Sequence, residues 1–521
     1  MAGDTRWIGV PSLASKDLAR RWRALDRDGT VALVGITILV AGAVAVRAWF
    51  MVSYRPAFLG FGDSHEYVLA AALGVFRDVQ HPAGYPLFLR LVHYLSDRLS
   101  FTILVQHALG VATGLLLYMS VRRTGAPAWL GLIPAAVVFF GGTGLFLEHS
   151  LLADPLFAFL QAIGVYAAVR ALHEPGLRWP LLAGVAIGFA FWVKTVAISS
   201  APLIVLLLLL TAPGDFRRRL FSAATAALTV IVLVVAYVVA QDYSTGYVGY
   251  ERQGAWNLYG RVATFVDCSR FTPPKGTRFL CPTEPLAHRL SQAFYQYGPT
   301  SPAVRRFGGP SRAPGYANAV LQKFSVAAIE HEPLAYVSAV VHGLTFYIFP
   351  RAGEGYTPES IRDALLGPVN EQAIEPAIAS FYPHSLGYHR PASAIRSLSS
   401  YESHTRVQGP LLILLLLAGI GGLPFLPARM RAAAILFTFT AIFSIIFAEA
   451  GSSYDARYAY PTFGPLAAGA ALGAWGVASR LRRENQRRQR ARNRSGDGAR
   501  DKRRQEDDDG GASWLRQAQA G

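Results

Sequence analysis

Charge is what this chain has least of. Asp, Glu, Lys and Arg make up 16% of its 521 residues, against about 25% in a soluble globular domain. With 52% hydrophobic residues and a mean hydropathy of +0.29, that scarcity excludes an ordinary soluble enzyme. Acids are scarcer than bases, 33 against 50, which leaves a net charge of +17. Cysteine is almost absent: only Cys268 and Cys281 occur. Two thiols without paired histidines nearby fall short of a tetrahedral zinc set. Both sit among Pro and Gly turn residues of one long loop, and a bridge between them is expected if that loop faces an oxidising compartment. No repeat of fixed period is present.

What the chain does have is long apolar runs, several near or above the ~18 residues that mark a spanning helix. Spans are expected at 30–51, 101–120, 127–147, 151–171, 179–194, 196–212, 221–240, 409–427, 432–449 and 458–478. The fold class is an all-α polytopic membrane protein of about ten transmembrane helices. The flank before the first span holds Lys16, Arg20, Arg21, Arg23 and Arg27 and no small-residue cleavage site follows, the pattern of an uncleaved anchor. Basic short loops mark the cytoplasmic side. Counted from a cytoplasmic N-terminus, the inner loops carry Arg122 and Arg123, Arg178, Arg217 to Arg219, Arg429 and Arg431, then Arg480, Arg482 and Arg483. Every expected inner loop is basic, so both termini are placed inside, in a plasma membrane.

Five segments follow from this count. Residues 1–29 form a cytoplasmic N-terminal flank, and 30–240 an N-terminal transmembrane block that includes the first outer loop. Residues 241–408 form an extracytoplasmic region of helices and loops. Residues 409–479 form the C-terminal transmembrane helices, and 480–521 a cytoplasmic tail. The tail is Arg-rich to residue 504, then acidic over 506–509, and low in apolar residues. It reads as disordered and as an anchor against anionic membrane lipids rather than a nucleic-acid binder. Residues 64–76 and 84–97 have the apolar spacing of helices lying in the membrane interface. The run 334–350, bracketed by Pro333 and Pro350, reads as interfacial or re-entrant.

Sorting polar residues by side leaves one outer cluster. Asp63, His65, Glu66, Tyr67, His81 and Tyr85 follow the first span. Glu148, His149 and Asp154 lie between spans three and four, and Lys194 between five and six. Glu449, Asp455, Arg457 and Tyr458 flank the mouth of the last span. Ionisable groups at a membrane boundary are expensive and usually functional. A carboxylate can take a proton from a hydroxyl, and Lys or Arg can hold a phosphate. Each residue also has a plainer role: Asp63 is placed to cap the helix beginning near Ser64, Lys194 to snorkel to the interface, and Arg457 to pair with Asp455 or Glu449. A transporter or lipid-linked sugar flippase is the alternative. It would place polar groups near the bilayer midplane, often with repeat symmetry, whereas these charges gather at one face. A third reading, a scaffold whose outer region binds a partner, leaves the aligned charges idle.

The ordered set resembles the C-type (GT-C) membrane glycosyltransferase superfamily, and within it the protein mannosyltransferase and aminoarabinose transferase group. The resemblance is carried by Asp63 with Tyr67, His81-Pro82-Ala83-Gly84-Tyr85-Pro86, Leu152-Ala153-Asp154-Pro155-Leu156-Phe157, Lys194 after an apolar span, and Ala456-Arg457-Tyr458-Ala459-Tyr460-Pro461. It implies a GT-C type helix bundle and an inverting transfer of a hexosyl or pentosyl group. The donor would be a polyprenyl-phosphate sugar, and the acceptor a hydroxyl on a glycan, lipid or protein at the outer face. It implies Asp63 as base and Asp154 as a second acid. Lys194 and Arg457 would neutralise the donor phosphate, and Tyr67, His81, Tyr85, Glu148 and Tyr458 would line the substrate pocket. Ser64 stands where the family often has a second acid. Metal use varies across the superfamily, and nothing in this sequence demands a divalent metal.

Overall fold

The structure, a computed structural model, describes residues 27–78, 80–367, 371–385, 389–407 and 409–518. The expected N-terminal flank lies almost wholly outside them. Among the described residues there are helices and turns and no strand. Backbone pairing between distant segments is limited to isolated bridges such as Arg55 with His389 and Tyr356 with Asp455.

By length and composition, six segments can cross a membrane: Asp28–Ser53, Leu99–Arg123, Asp154–His173, Phe216–Thr245, Ala428–Gly451 and the stretch Ala392–Phe425, whose described parts Ala392–Thr405 and Gly409–Gly421 are separate helices. The pair Ala128–Phe140 and Gly142–Glu148, bent by 54° at Gly141, makes seven if it is one span. These coincide with seven of the expected spans. The other three fare differently. The segments expected at 179–194 and 196–212 are the shorter apolar helices Arg178–Val193 and Thr195–Thr211. The span expected at 458–478 opens the helix Tyr460–Ala518, whose start is rich in Gly and Ala. That same helix runs on through the segment read from the sequence as a disordered tail. The apolar run after Pro333 is the 13-residue helix Pro333–Thr345, too short to span at 1.5 Å per residue.

Local sequence explains where the helices begin and end. Asp215 caps Phe216–Thr245 by accepting a bond from the Arg218 amide at 3.1 Å, and Gly246, at φ 65°, ends it. Pro155, near the start of Asp154–His173, supplies the preset φ that helix starts favour. One core packs Phe50, Phe58, Phe146, Phe157 and Tyr85 beneath the loops between helices. A second joins Leu172, Ile187, Leu208 and Phe437 further along the bundle. The region 241–408 has a core of its own around Trp256, Tyr259, Tyr295 and Phe324, and Cys268 and Cys281 are joined there as a disulfide.

Candidate active site

The site is built from helix ends. Asp63 opens the helix Asp63–Leu73, Asp154 opens Asp154–His173, and Lys194 follows Arg178–Val193 directly. Arg457 lies in the short turn Ala456–Ala459 that leads into the last helix. Carboxylates at helix N-termini sit where the helix dipole favours negative charge.

Asp63 does not cap its helix; Gly62 occupies that position without a side-chain bond. Its carboxylate turns to Arg457 instead, whose Nη1 donates to Asp63 Oδ2 at 2.9 Å. The rest of the guanidinium holds Asp455, with Nη2 donating to Oδ2 at 2.7 Å and Nε at 2.9 Å. The guanidinium also lies over the Phe61 ring, 4.0 Å from its centroid. The second carboxylate on this cation thus comes from Asp455, nearly four hundred residues from position 64 where the family pattern often has one. Lys194 does not snorkel. Its Nζ donates to Asp154 Oδ1 at 2.6 Å and lies 5.1 Å from the centre of the Tyr458 ring.

His81 joins the two halves of the loop that follows Asp28–Ser53. Its Nδ1 is 2.6 Å from Asp78 Oδ2, and its Nε2 is 3.7 Å from Asp63 Oδ1. Burial disfavours the imidazolium, but the carboxylates of Asp78 and Asp63 outweigh it and raise His81 to about 9. Burial likewise pushes the Asp63 carboxyl up, and Arg457, then His81, overcome it and hold the group below its ordinary value. The field of Lys194 also reaches Asp63, and that of Asp154 reaches Arg457. Residues from four separate loops therefore form one electrostatic unit.

The motif after His81 has a packing reason. A Cβ at Gly84 would run into the backbone carbonyl of Trp192 and lie 2.8 Å from the Val193 nitrogen. Only glycine lets the helix Gly84–His93 rest on the chain immediately before Lys194, and this close approach brings the His81 loop beside the lysine. Tyr85 is fully buried below, its hydroxyl donating to Gln106 Oε1 at 2.6 Å. Tyr67 packs between Tyr85 and His81, with ring centres 4.7 Å and 5.0 Å away. These two tyrosines form a floor.

Glu148, expected among the pocket residues, is fully buried elsewhere in the bundle. Arg47 grips both its oxygens at 2.8 Å, and His107 Nδ1 lies 2.9 Å from Oε2. His107 passes the chain to His149 at 3.1 Å, whose other ring nitrogen meets the Tyr54 carbonyl at 2.9 Å. Both oxygens of Glu148 are thus paired inside the protein, and the side chain has no exposed surface. Glu449 is held through Oε1 by Arg261, which also donates to the Ser452 carbonyl at 2.8 Å, while its Oε2 is buried without a partner among the described residues.

Two acids that the sequence reading passed over belong here. Asp78, three residues before His81, is its closest partner; an i, i+3 acid beside a histidine was the available signal. Glu251 comes from the segment after the helix Phe216–Thr245. It lies 3.5 Å from the Thr195 hydroxyl. Burial raises its carboxyl to about 7, with His81 pulling the other way. Nothing in its local sequence sets it apart from other acids of the long loop. Among the described residues no group of three or more His, Cys, Asp or Glu could hold a metal ion. Asp63, Asp154 and Asp455 are each paired with a side-chain cation.

Comparison with known proteins bears on the family. Residues 80–241 match the family model for dolichyl-phosphate-mannose-protein mannosyltransferases. The resemblance read from the sequence is therefore met by a family match over that stretch. It holds His81, Tyr85, Asp154 and Lys194, while Asp63 and Arg457 lie beyond it. Among solved structures, the chain is similar to the oligosaccharyltransferase AglB of Archaeoglobus fulgidus in complex with an inhibitory peptide and a dolichol-phosphate. The identity is 12% and the TM-score 0.43, covering 87% of this chain and 51% of that one. A second structure of the Archaeoglobus fulgidus oligosaccharyltransferase, with zinc and sulfate, is similar at 12% identity and a TM-score of 0.44, covering 86% and 49%. This chain thus spans about half the length of those proteins. No curated protein matches the chain.

Proposed function

We propose that this chain is a membrane glycosyltransferase that moves a sugar from a polyprenyl-phosphate donor to an acceptor hydroxyl at the outer face of the plasma membrane, with inversion. The observation that carries this reading is the Arg457–Asp63 ion pair at 2.9 Å. It couples a carboxylate suited to proton removal with a cation suited to phosphate.

In this mechanism the acceptor oxygen attacks C1 of the donor sugar and its proton passes to Asp63. The bond between C1 and the phosphate oxygen breaks, and the lipid phosphate leaves with the electron pair. One displacement inverts C1. Arg457 and Lys194 stabilise the charge that develops on the leaving phosphate. Asp63 is ionised at neutral pH, as a base must be, but its tie to Arg457 weakens it. A phosphate arriving at Arg457 competes for the guanidinium and returns basicity to Asp63, so donor binding arms the base. Asp154 orients Lys194, and Tyr458 presents its ring to the same ammonium. Supporting the donor class are the family match over 80–241 and the two cations within one cluster.

The test is protein-dependent release of polyprenyl phosphate from radiolabelled polyprenyl-phosphate mannose and arabinose in reconstituted membranes. Release with label appearing in a second product is expected. Movement of intact donor across the bilayer without release would favour the flippase instead.

A further inference from the structure

Two tyrosines of the region 241–408 feel the charge of Asp63 and have no role in the chemistry above. Tyr297 is 51% exposed and Tyr356 47% exposed, while the rings of Phe61, Tyr67 and Tyr85 are buried. Tyr356 packs its ring 5.5 Å from that of Phe61, the ring that carries Arg457. Its position is fixed from both sides of the backbone. The Tyr356 amide donates to the Tyr454 carbonyl at 3.2 Å, and the Ala456 amide donates to the Tyr356 carbonyl at 2.9 Å. Gly353 and Gly355, at φ 87° and 108°, supply the left-handed turns that bring this segment down. A Cβ at Gly355 would strike the Tyr454 carbonyl. An exposed aromatic ring is thus held rigidly next to the Asp455–Arg457 turn.

Tyr297 ends the helix Gln292–Tyr297 and approaches from the outer domain. Its hydroxyl accepts a bond from Gln253 Nε2 at 2.6 Å. Burial, and after it the charge of Asp63 and the Tyr356 phenol, pushes the Tyr297 hydroxyl above its ordinary value, so the three side chains share one neighbourhood. Gln253 Oε1 is buried and has no hydrogen-bond partner. Buried carbonyl oxygens are seldom left unpaired, and a ligand hydroxyl would satisfy this one. The outer domain is also tied to the His81 loop by the Gln80 side chain, which donates to Ser311 Oγ at 2.8 Å.

We propose that Tyr297, Tyr356 and Gln253 form an acceptor subsite for a glycan: a sugar ring lies with its C–H face on the tyrosines, gives one hydroxyl to Gln253 and presents another to Asp63. This rests on the transferase reading of Asp63. Held aromatic faces with one convergent polar group suit a small polyol ring. A peptide acceptor would pair its backbone with an open edge, but the amide and carbonyl of Tyr356 are already bonded to residues 454 and 456.

The experiment uses the full chain in nanodiscs of neutral lipid. Saturation-transfer NMR is recorded with short mannose oligosaccharides, arabinofuranose oligosaccharides and a Ser/Thr-containing peptide. Decaprenyl phosphate binding is measured on the same samples. We expect ring-proton signals from one of the saccharides and an affinity about tenfold weaker in Tyr297→Ala and Tyr356→Ala. Tyr356→Phe should keep wild-type affinity, and all three variants should still bind decaprenyl phosphate, which shows them folded. Saccharide binding that is absent, or unchanged in both alanine variants, overturns the subsite, as does peptide binding lost in those variants. Failure of the wild type to bind decaprenyl phosphate counts against the transferase reading itself.

Discussion

Arg457 donates to Asp63 at 2.9 Å across 394 residues of chain. The loop after the first span and the turn before the last helix therefore meet on one hydrogen bond, and the proposed base and the proposed phosphate ligand restrain each other.

Removing a phosphate cation should weaken donor use. Arg457→Ala and Lys194→Ala should each raise the donor KM about tenfold to a hundredfold, the worth of a lost hydrogen bond to a charged group. Steady-state kinetics at varied donor concentration checks this. Arg457→Ala should also lower kcat, because Asp455 and Asp63 lose their shared counter-ion; Lys194→Ala leaves that pair intact.

The pH dependence of stability should carry the signature of His81. Its folded value of about 9 lies above the ordinary ~6.5, so the folded state binds the proton more tightly. Its stabilising contribution is complete below pH ~6.5, declines above that and is lost as pH rises through about 9. Melting curves in detergent from pH 6 to 10 should show this decline in wild type and a flatter profile in His81→Gln. Parallel profiles would remove His81 from the ion cluster.

Gly84→Ala tests the packing behind the loop motif. The added methyl meets the backbone of Trp192 and Val193, and overpacking of this kind costs about 1–3 kcal/mol. A lower melting temperature and a loss of transfer are expected, with Gly74→Ala, whose added methyl meets only the Arg77 side chain at 4.0 Å, as the control for loop substitution in general.

Sidedness has its own test. Reporter fusions at residue 124, in a basic short loop, and at residue 300, in the outer domain, should report cytoplasmic and extracytoplasmic positions respectively. Both on one side would dissolve the outer-face site.

The convergence of Asp63, Asp154, Lys194 and Arg457 was legible because loop charge sorts residues by side, and these all sort together. Which residue holds which was not. Arg457 had Asp455 and Glu449 as near candidates, and the longer-range bond to Asp63 depends on how the helices pack. Glu148 was misplaced for a related reason. It looks like a loop residue at a helix end, and its partner Arg47 sits inside an apolar run that stays apolar enough to span despite the one arginine. Span number was the least legible feature, because short helices such as Arg178–Val193 are apolar enough to count but do not reach membrane length. Asp78 and Glu251 matter only through contacts with His81 and Thr195, and neither belongs to a motif.

The central claim, that Asp63 takes the acceptor proton beside a phosphate held by Arg457, is tested most directly by Asp63→Asn. Turnover of polyprenyl-phosphate sugar by the purified variant should fall by about 10²–10⁴, with decaprenyl phosphate still bound and the protein still folded. Wild-type turnover in that variant would contradict the account.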